Sequence, residues 1–486
     1  MFKCKVLLPA LFLFYYVNAE TYYVSNSGSN SNNGLSQLNA FKTLQYVSNL
    51  VNAGDSVIVL AGTYAGFYHT TSGTALQRII FKAQPGVIIN SPNATTSDGI
   101  NLEGASYVTI DGFEVDGVPR AGIRSVINEG VIITNNKCDQ NGVWGILTGF
   151  SENIIIENNE CSRSVQQHGI YFSNSADNPI IRNNICWGNS DCGIHMNGDV
   201  SLGGDGIISN ALVEKNIIYN NGVGGGSGIN CDGVQNSIIQ NNLLYNNHAS
   251  GISLYMIDGG APASGNVIVN NTILQPNDGR WALNVSDGSI NNKVFNNIFY
   301  SSHTFRGSIS VDAASMSGFK SNNNILTNRM SNDGGNSNMT LAQWQQQTYA
   351  DSSSVIAVPA ALFVNVSANN YHLLVNSVAV NAGRSSYYNG SAPLTDLENN
   401  PRPQGNAIDI GAYEFMGTTA ISNTVLQPQN VFTENDKVII YDLSGKIIFR
   451  GTLKDFYQSK IKAFAYIIVT SDGKKMEKEI SGIKQE

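Results

Sequence analysis

A short motif that recurs through the middle of the chain constrains the fold more than any other feature. Each copy is a glycine or alanine followed by an apolar residue, and successive copies lie 23, 24, 24, 35, 23 and 31 residues apart, by subtraction of their positions. Repeats of this length are typical of a solenoid, in which every repeat adds one layer to a continuous core. The glycine or alanine positions are Gly122, Gly145, Gly169, Gly193, Gly228, Gly251 and Ala282.

A second element keeps step with this motif: an apolar residue followed three positions later by asparagine. The segments between the motifs are short, rich in β-branched residues and interrupted by asparagine and glycine, which favours strands and turns over helices. We therefore predict a right-handed parallel β-helix, in which equivalent residues of successive coils stack about 4.8 Å apart. The asparagines would form a side-chain ladder at one bend of the coil. They are Asn136, Asn159, Asn184, Asn216, Asn242, Asn271 and Asn297.

The cysteines fit the same pattern. Cys138, Cys161 and Cys186 each follow a ladder asparagine by two residues, where later coils carry apolar residues. The spacing of the cysteines shows neither a disulfide framework nor a paired zinc motif. We expect these three cysteines to be core residues.

The ends of the chain carry other signals. Residues 1–19 combine Lys3 and Lys5 with an apolar stretch and small residues before Ala19, which is typical of a secretory signal peptide. No later segment is apolar for the length that a membrane-spanning helix needs. The formal net charge of −8 argues against nucleic acid as a partner. We expect a secreted or surface-attached monomer.

The chain divides into regions of different composition. Residues 20–64 should form an N-terminal cap, with a short helix within 41–51 and strands at 56–60 and 62–64. Residues 65–415 should form the β-helix, and 416–430 a linker. Lysine and glutamate become frequent after about residue 430. Residues 431–486 are predicted to form a small β-sandwich, with a hairpin at 437–449 that turns at Ser444-Gly445 and a further strand at 465–470. The fold class is therefore all-β.

Three stretches resemble known proteins. The opening residues 22–64 and the closing residues 371–415, which end in Asp409-Ile-Gly-Ala-Tyr-Glu-Phe415, resemble secreted bacterial β-helix polysaccharide lyases and their relatives. The stretch Tyr441-Asp-Leu-Ser-Gly-Lys446 resembles the C-terminal sorting domain of proteins that Bacteroidota export by the type IX route. The resemblance implies a polysaccharide as substrate and the type IX machinery as a partner. Asp409 and Glu414, in the closing stretch, are predicted to be structural.

Strand alternation predicts which side chains of the glycine-containing strands point outward. One outward column reads Asn101, Arg124, Leu147, Tyr171, His195, Asn230, Ser253 and Asn284. Two residues further along each strand, a second column reads Glu103, Val126, Gly149, Ser173, Asn197, Asp232, Tyr255 and Ser286. The polar part of both columns falls in four adjacent coils, and the two long coils, which begin at Gly193 and Gly251, add loops beside it. Loops on a rigid scaffold often carry function, so we predict a groove here.

We assign roles to these side chains by their chemistry. His195, Asp232 and Tyr255 are the predicted catalytic residues. An imidazole with an ordinary pKa can act as base or acid, the carboxylate could orient it, and the phenol could protonate a leaving oxygen. The predicted substrate-binding residues include Arg124, which could hold a carboxylate or sulfate. The others are Tyr171, Asn197, Asn230 and Asp258.

A divalent cation is a further expectation. Asp199 and Asp205 lie in one long loop and Asp258 in the other. Carboxylate oxygens are the ligands that Ca²⁺ prefers, so these residues are candidates for a Ca²⁺ site, although their spacing matches no metal-binding loop.

Three functions fit this inventory. The first is a lyase that removes the C5 proton of a uronic acid and cleaves the chain by β-elimination. The second is a β-helix glycoside hydrolase, which needs two carboxylates flanking the scissile bond; Asp232 with a loop aspartate could supply them. The third is a surface protein or adhesin that binds glycan without cleaving it.

Overall fold

The structure is a computed structural model that describes residues 19–417 together with 437–441, 447–452, 454–455, 465–470 and 475–479. The chain divides into two compact units, Met1–Gly417 and Thr418–Glu486. The predicted signal peptide lies outside the described residues except for Ala19. Among the described residues, no helix is long and apolar enough to cross a membrane.

The first unit is a solenoid of three parallel sheets, which we call the first, second and third sheets. The first sheet has twelve strands: Thr21–Val24, Ser56–Val59, Ile79–Ala83, Val108–Asp111, Ile132–Thr134, Ile155–Glu157, Ile180–Arg182, Leu212–Glu214, Ile238–Gln240, Val267–Val269, Lys293–Phe295 and Lys320–Asn322. The second also has twelve: Gly62–Ala65, Val87–Ser91, Glu114–Asp116, Lys137–Asp139, Glu160–Ser162, Ile185–Trp187, Ile217–Tyr219, Leu243–Tyr245, Thr272–Gln275, Ile298–Ser301, Ile325–Leu326 and Val355–Ile356.

The third sheet carries the predicted polar columns on its outer face. Its strands are Phe67–His69, Ile100–Glu103, Ala121–Glu129, Trp144–Glu152, Ile170–Ser173, Ile194–Asn197, Ser227–Asp232, Ser250–Tyr255, Leu283–Val285, Ile309–Val311 and Met330–Ser331. Every coil passes through the third, first and second sheets in turn, so each strand pairs in parallel with its copy in the next coil. The parallel β-helix predicted from the repeat is confirmed.

The core lies between the three sheets and consists of stacked aliphatic and aromatic side chains. Phe172, Met196, Cys231 and Leu254 form one inward column of the third sheet, and all are fully buried. Cys138, Cys161 and Cys186 stack in the same way in the second sheet and are free thiols. Their prediction as core residues is confirmed.

The asparagine ladder occupies the bend between the first and second sheets. The Asn242 amide group donates to the Val213 carbonyl (2.9 Å) and to Oδ1 of Asn271 (2.9 Å), and its own Oδ1 accepts from the backbone and side chain of Asn216 (both 3.0 Å). The residue just before each ladder asparagine has a left-handed backbone, for example Asn241 with φ 53°. Asparagine tolerates this conformation better than most residues, which explains the Asn-Asn pairs of the sequence.

Helices cover the ends of the solenoid. Helix Leu44–Ser48 begins at Thr43, whose side chain accepts from the Tyr46 N–H, and it buries Leu44 and Val47 over the first coil. It is shorter than the predicted segment 41–51. At the other end, helix Leu341–Thr348 buries Trp344 against Phe319, with the ring centroids 6.3 Å apart. The remaining helices are Pro359–Leu362 and the 3₁₀ turns Val200–Leu202, Ala313–Ser315 and Val366–Ala368.

The last residues of the first unit differ from the prediction that 371–415 closes the end of the solenoid. This segment runs along the flank, where left-handed residues of five successive coils donate to it. The Lys215 ammonium donates to the Thr395 hydroxyl (2.8 Å), and Asn323 to the Ala382 carbonyl (3.2 Å). The segment therefore follows the ladder bend, because that bend offers an outward side-chain donor, asparagine or lysine, in each of these five coils. The other donors are Asn241 to Thr395, Asn270 to Asp409 and Gly411, and Asn296 to Arg384.

The flank segment has its own buried polar centre and short strand pairs. The Arg402 guanidinium is 6% exposed, pairs with Glu414 (3.0 Å) and donates to the Asp409 and Gly411 carbonyls. Asp409 and Glu414 are buried, in the structural role expected of them. Ser386–Tyr387 pairs antiparallel with Gly390–Ser391 in this segment, and Phe363–Asn365 pairs antiparallel with Asn370–Leu373 where the segment begins. In the solenoid, Ile208–Ser209 of the long coil pairs in parallel with Val234–Gln235 of the next coil.

The described part of the second unit is one four-stranded antiparallel sheet. In spatial order its strands are Ile447–Thr452, Lys437–Tyr441, Ala465–Thr470 and Lys475–Glu479. The predicted hairpin pairs as expected, and its turn, Ser444-Gly445, lies outside the described residues. The described residues of this unit contain no second sheet, so the β-sandwich and the sorting role stay predictions.

Replacing a ladder asparagine tests how much the ladder stabilises the solenoid. Asn242→Ala should lower the free energy of unfolding by about 3 kcal/mol, because it removes four hydrogen bonds and leaves buried backbone groups without partners. Urea titration of the variant measures the loss. Asn277→Ala is the control: Asn277 is exposed, so the change should stay within about 0.5 kcal/mol. Equal stability of both variants would contradict the ladder's role.

Candidate active site

The strand register of the third sheet places the predicted outward columns as expected. Tyr171 pairs with His195, His195 with Asn230, and Asn230 with Ser253. In the second column, Asn197 pairs with Asp232, and Asp232 with Tyr255. The predicted catalytic residues therefore share one face of the solenoid.

A chain of hydrogen bonds runs through the two histidines of this face. The backbone N–H of Cys192 donates to Nδ1 of His168 (3.2 Å), and Nε2 of His168 lies 3.1 Å from Nδ1 of His195. Nε2 of His195 lies 3.4 Å from the hydroxyl oxygen of Tyr255. A backbone N–H can only donate, so neutral His168 carries its proton on Nε2, and neutral His195 in turn carries its proton on Nε2. This chain of hydrogen bonds therefore ends in the Nε2–H group of His195, which donates to the hydroxyl oxygen of Tyr255.

Both histidines are neutral over the physiological range. Burial lowers the pKa of His168 to about 4. Burial, together with the neighbouring His168, holds the pKa of His195 well below its usual value. The expectation that His195 titrates near neutral pH is wrong, because the expectation took no account of the protein that surrounds the ring. Strand alternation did not predict His168 as a site residue, because His168 lies before the strand Ile170–Ser173.

Tyr255 receives a second donor. The Asn230 amide group donates to the Tyr255 oxygen at 2.7 Å, so both acceptor positions of that oxygen are directed at N–H groups. The phenolic proton is then free to point away from the sheet. Burial and the Asp232 carboxylate raise the pKa of Tyr255, and the hydrogen bond from Asn230 opposes them. The resting group is a neutral phenol, with two donors aimed at the charge that would form if it lost its proton.

Asp232 holds a loop and has no hydrogen bond to His195. It is 1% exposed, and its carboxylate accepts the N–H groups of Ile257 (2.9 Å), Asp258 (2.9 Å) and Gly259 (3.0 Å). Burial raises its pKa, and these three donors oppose the rise. The idea that Asp232 orients His195 is wrong, because its oxygens are taken up by the loop. A side chain at Gly259 would begin 2.8 Å from Oδ1 of Asp232, which explains the glycine there.

The two long loops form one wall of the site. The Val200 N–H donates to the Asp258 carbonyl (2.9 Å), and the Gly260 N–H donates to the Gly206 carbonyl (2.7 Å). Their position beside the polar columns agrees with the prediction from coil length. Asp232 holds the loop of Asp258 in place, and that loop in turn binds the loop of Val200. The wall is therefore held together by hydrogen bonds within the protein.

The remaining predicted binding residues divide into two groups. Tyr171 lies beside His195, with ring centroids 5.2 Å apart, and stacks on Trp144 at 5.8 Å. Its hydroxyl accepts from the amide of Asn197, which also lies 3.5 Å from the Asp258 carboxylate. Tyr171, Asn197, Asn230 and Asp258 are thus brought together around the histidine chain.

Arg124 belongs to the other group. Its guanidinium donates to Oδ1 of Asn101 (3.0 Å) and forms an ion pair with Glu103, both in the preceding coil. Arg124, Leu147, Tyr171 and His195 are in register on four successive strands, so Tyr171 and Leu147 separate Arg124 from His195. Its prediction as a ligand for a substrate carboxylate finds no support in this geometry, because a carboxylate of the protein already occupies it.

The acidic loop residues do not assemble into a metal site in the part of the chain that the structure describes. Oδ1 of Asp199 accepts from Ser201, and Oδ1 of Asp205 accepts from the Ile207 N–H. Ca²⁺ binding there stays a prediction.

One different cluster has ligand-type atoms at metal-binding spacing: His168, Cys192 and His195, within 4.8 Å of one another. A metal on Nε2 of His168 would require a proton on Nδ1, which faces the Cys192 N–H. The hydrogen-bond chain therefore accounts for this cluster better than a metal does.

A groove of about 440 Å³ opens beside Tyr255 along the later coils. Tyr255, Asn230, Ser253 and Asn284 line it, which continues the predicted outward columns. Ser286 of the second column lines it as well. The further lining residues lie outside both predicted columns. The most informative of them are Arg280, Trp281, Asp287 and Arg306.

Known proteins show the same architecture. A family model described as "Right handed beta helix region" matches residues 98–258. The fold is a right-handed parallel β-helix. Among solved structures, the pectate lyase Pel9A is 19% identical, with a TM-score of 0.56, over 82% of this chain and 96% of that one. XylC, in its complex structure with xylose, is 12% identical, with a TM-score of 0.51, over 81% of this chain and 99% of that one. At such identities the likeness concerns the fold alone. No curated protein matches the chain.

Titration of the buried histidines should appear in the pH dependence of stability. The folded pKa of His168, about 4, lies below the ordinary value of 6.5, so the unfolded chain binds more protons between these values. The contribution of His168 to the free energy of unfolding should therefore fall as pH drops through this window, by about 2 kcal/mol at pH 5. Urea titrations at pH 7 and pH 5 should show a smaller decline for His168→Gln than for the wild type. The same decline in both would contradict a neutral, buried His168.

Proposed function

We propose that the protein is an extracellular polysaccharide-degrading enzyme, a lyase that cleaves uronic-acid-containing glycans by β-elimination in the groove of the third sheet. The observation that carries the proposal is the donor chain that ends on Tyr255 at the edge of this groove. Burial and Asp232 keep Tyr255 protonated at rest. The two N–H groups aimed at its oxygen lower the cost of the charge that forms when it gives its proton to a leaving oxygen.

Acid and base are assigned to different coils. Among the groove-lining residues that the structure describes, Asp287 is the only one with a carboxylate. It lies in the coil after that of Tyr255. The strand register continues to Ser286 opposite Tyr255, and Asp287 is the next residue. In the proposed step, the C5–H bond breaks and its proton passes to Asp287. The electron pair forms the C4=C5 double bond, the C4–O4 bond breaks, and O4 takes the proton of Tyr255. Both side chains return to their resting protonation by exchange with solvent.

The groove also offers positive charge for the substrate. Arg280 and Arg306 line it. A cation near the uronate carboxylate stabilises the negative charge that develops when the C5 proton leaves, which favours elimination. This supports a uronic acid over a neutral sugar.

The groove supports hydrolysis less well. A glycoside hydrolase needs two carboxylates about 5 to 10 Å apart. Asp287 has no second carboxylate among the described groove-lining residues, and Asp232 is buried under three N–H groups.

Loss of the phenol tests the proposed acid. Tyr255→Phe should reduce kcat by about 10²- to 10⁴-fold, and Asp287→Asn by a similar factor, because each removes a group that moves a proton. Release of unsaturated, ultraviolet-absorbing products from pectate or alginate measures the rate. Tyr388→Phe, an exposed tyrosine outside the groove, is the control and should keep full activity. New reducing ends without ultraviolet absorbance would instead indicate a hydrolase, and binding without product an adhesin.

Asp232 and His195 should act through their neighbours, and this distinguishes them from Tyr255. Asp232→Asn places an NH₂ group among three loop N–H donors, so the wall loosens; we expect KM to rise at least several-fold and kcat to change less. His195→Ala removes a donor from Tyr255 and should lower kcat. Steady-state kinetics on the same substrate separate the two patterns. A loss of kcat alone in Asp232→Asn would make Asp232 a direct participant.

A further inference from the structure

Arg280 and Arg306 occupy the same position in adjacent coils. Leu283 pairs with Ile309 in the strand register. Arg280 lies three residues before Leu283, and Arg306 lies three residues before Ile309. The register persists outside the strands, because the Ala282 N–H donates to the Gly307 carbonyl (3.1 Å). The two side chains therefore start about one coil spacing, 4.8 Å, apart on the same side of the groove.

Neither arginine has an acidic partner among the described residues. Arg120, Arg124, Arg163, Arg182 and Arg402 each form an ion pair with an aspartate or glutamate. The nine ion pairs of the described residues include neither Arg280 nor Arg306.

Arg280 is exposed and Arg306 half-buried, and both line the groove. Like charges on adjacent coils repel each other. An anionic ligand would remove that repulsion.

From this placement we infer that the groove recognises two consecutive anionic sugars, one carboxylate to each arginine, and thus favours contiguous blocks of uronic acid over alternating copolymers. A glycan that runs parallel to the solenoid axis advances by about one sugar per coil, so equivalent groups of neighbouring sugars meet equivalent side chains. Guanidinium groups bind carboxylates through paired N–H donors, which gives each contact direction as well as charge.

The groove floor agrees with a polymer lying across the coils. Asn230, Ser253 and Asn284 follow one another on successive strands beside the arginines, and Ser227 lies on the same strand as Asn230. All four line the groove and supply short polar groups for sugar hydroxyls. Trp281 lies between the arginine row and the strand, and a side chain at Gly335 would begin 2.7 Å from its indole nitrogen. The glycine keeps this end of the groove open.

This inference rests on the proposed class of substrate, and a binding experiment separates it from the proposed reaction. We would use the full chain with Tyr255→Phe, so that ligands are not cleaved, and measure Kd by calorimetry. The probes are tetragalacturonate and tetramannuronate as contiguous uronates, their methyl esters as neutral counterparts, and a hyaluronan tetrasaccharide as an alternating uronate.

For a contiguous uronate, Arg280→Gln and Arg306→Gln should each weaken binding about tenfold, and the double variant about a hundredfold, because each arginine holds its own carboxylate. The alternating tetrasaccharide should bind more weakly from the start and lose affinity with only one of the two changes. Arg182→Gln, on the first sheet and paired with Glu157, is the matched control and should leave every Kd unchanged.

Two results would overturn the inference. If the double variant binds no more weakly than the poorer single variant, both arginines grip one carboxylate. If methyl esters bind as well as free acids, charge plays no part. Failure of the lyase assay with a retained block preference would refute the reaction and keep the recognition, whereas elimination without block preference would do the reverse.

Discussion

The alignment of equivalent residues in successive coils is the constraint on which the rest of the structure depends. The asparagine ladder enforces it: each amide group bonds both to the coil before it and to the coil after it, and every ladder asparagine is buried. Because a wrong register would leave several buried donors and acceptors unpaired at every coil, the penalty is large. With the register fixed at one bend, the strands of all three sheets are fixed too, and with them every outward column.

This dependence explains what the sequence could predict. The period, the ladder and the strand alternation are local patterns, so the three sheets, the cysteine column and the placement of Tyr171, His195, Asp232 and Tyr255 on one face could be predicted from them. The coil length also located the loops that hold Val200 and Asp258. Side-chain partners were harder. Asp232 faces outward as expected, yet three backbone N–H groups of a loop use its oxygens, and nothing in the spacing indicates how a loop folds back.

The other differences have the same origin. The low pKa of His195 comes from burial by loops and by His168, a residue just outside the strand. Arg124 stands in the predicted column, but Glu103 of the preceding coil neutralises it. Arg280 and Arg306 lie in turns, where alternation carries no information, and only the strand register shows that they are aligned. The flank segment was expected to close the end of the solenoid because it resembles the closing stretch of other β-helix proteins, whereas its position is set by polar side chains along the side of the coils.

The course of that flank segment bears on how the solenoid comes apart. A stack of coils held only by nearest neighbours can fray from either end, one layer at a time. Here the flank segment is hydrogen-bonded to five consecutive coils, between Lys215 and Asn323. None of these coils can therefore unfold alone unless the flank segment breaks its hydrogen bonds to that coil. The groove residues Tyr255, Asp287 and Arg306 belong to these coils, so the part of the molecule proposed to bind the polysaccharide is also the part that resists unravelling.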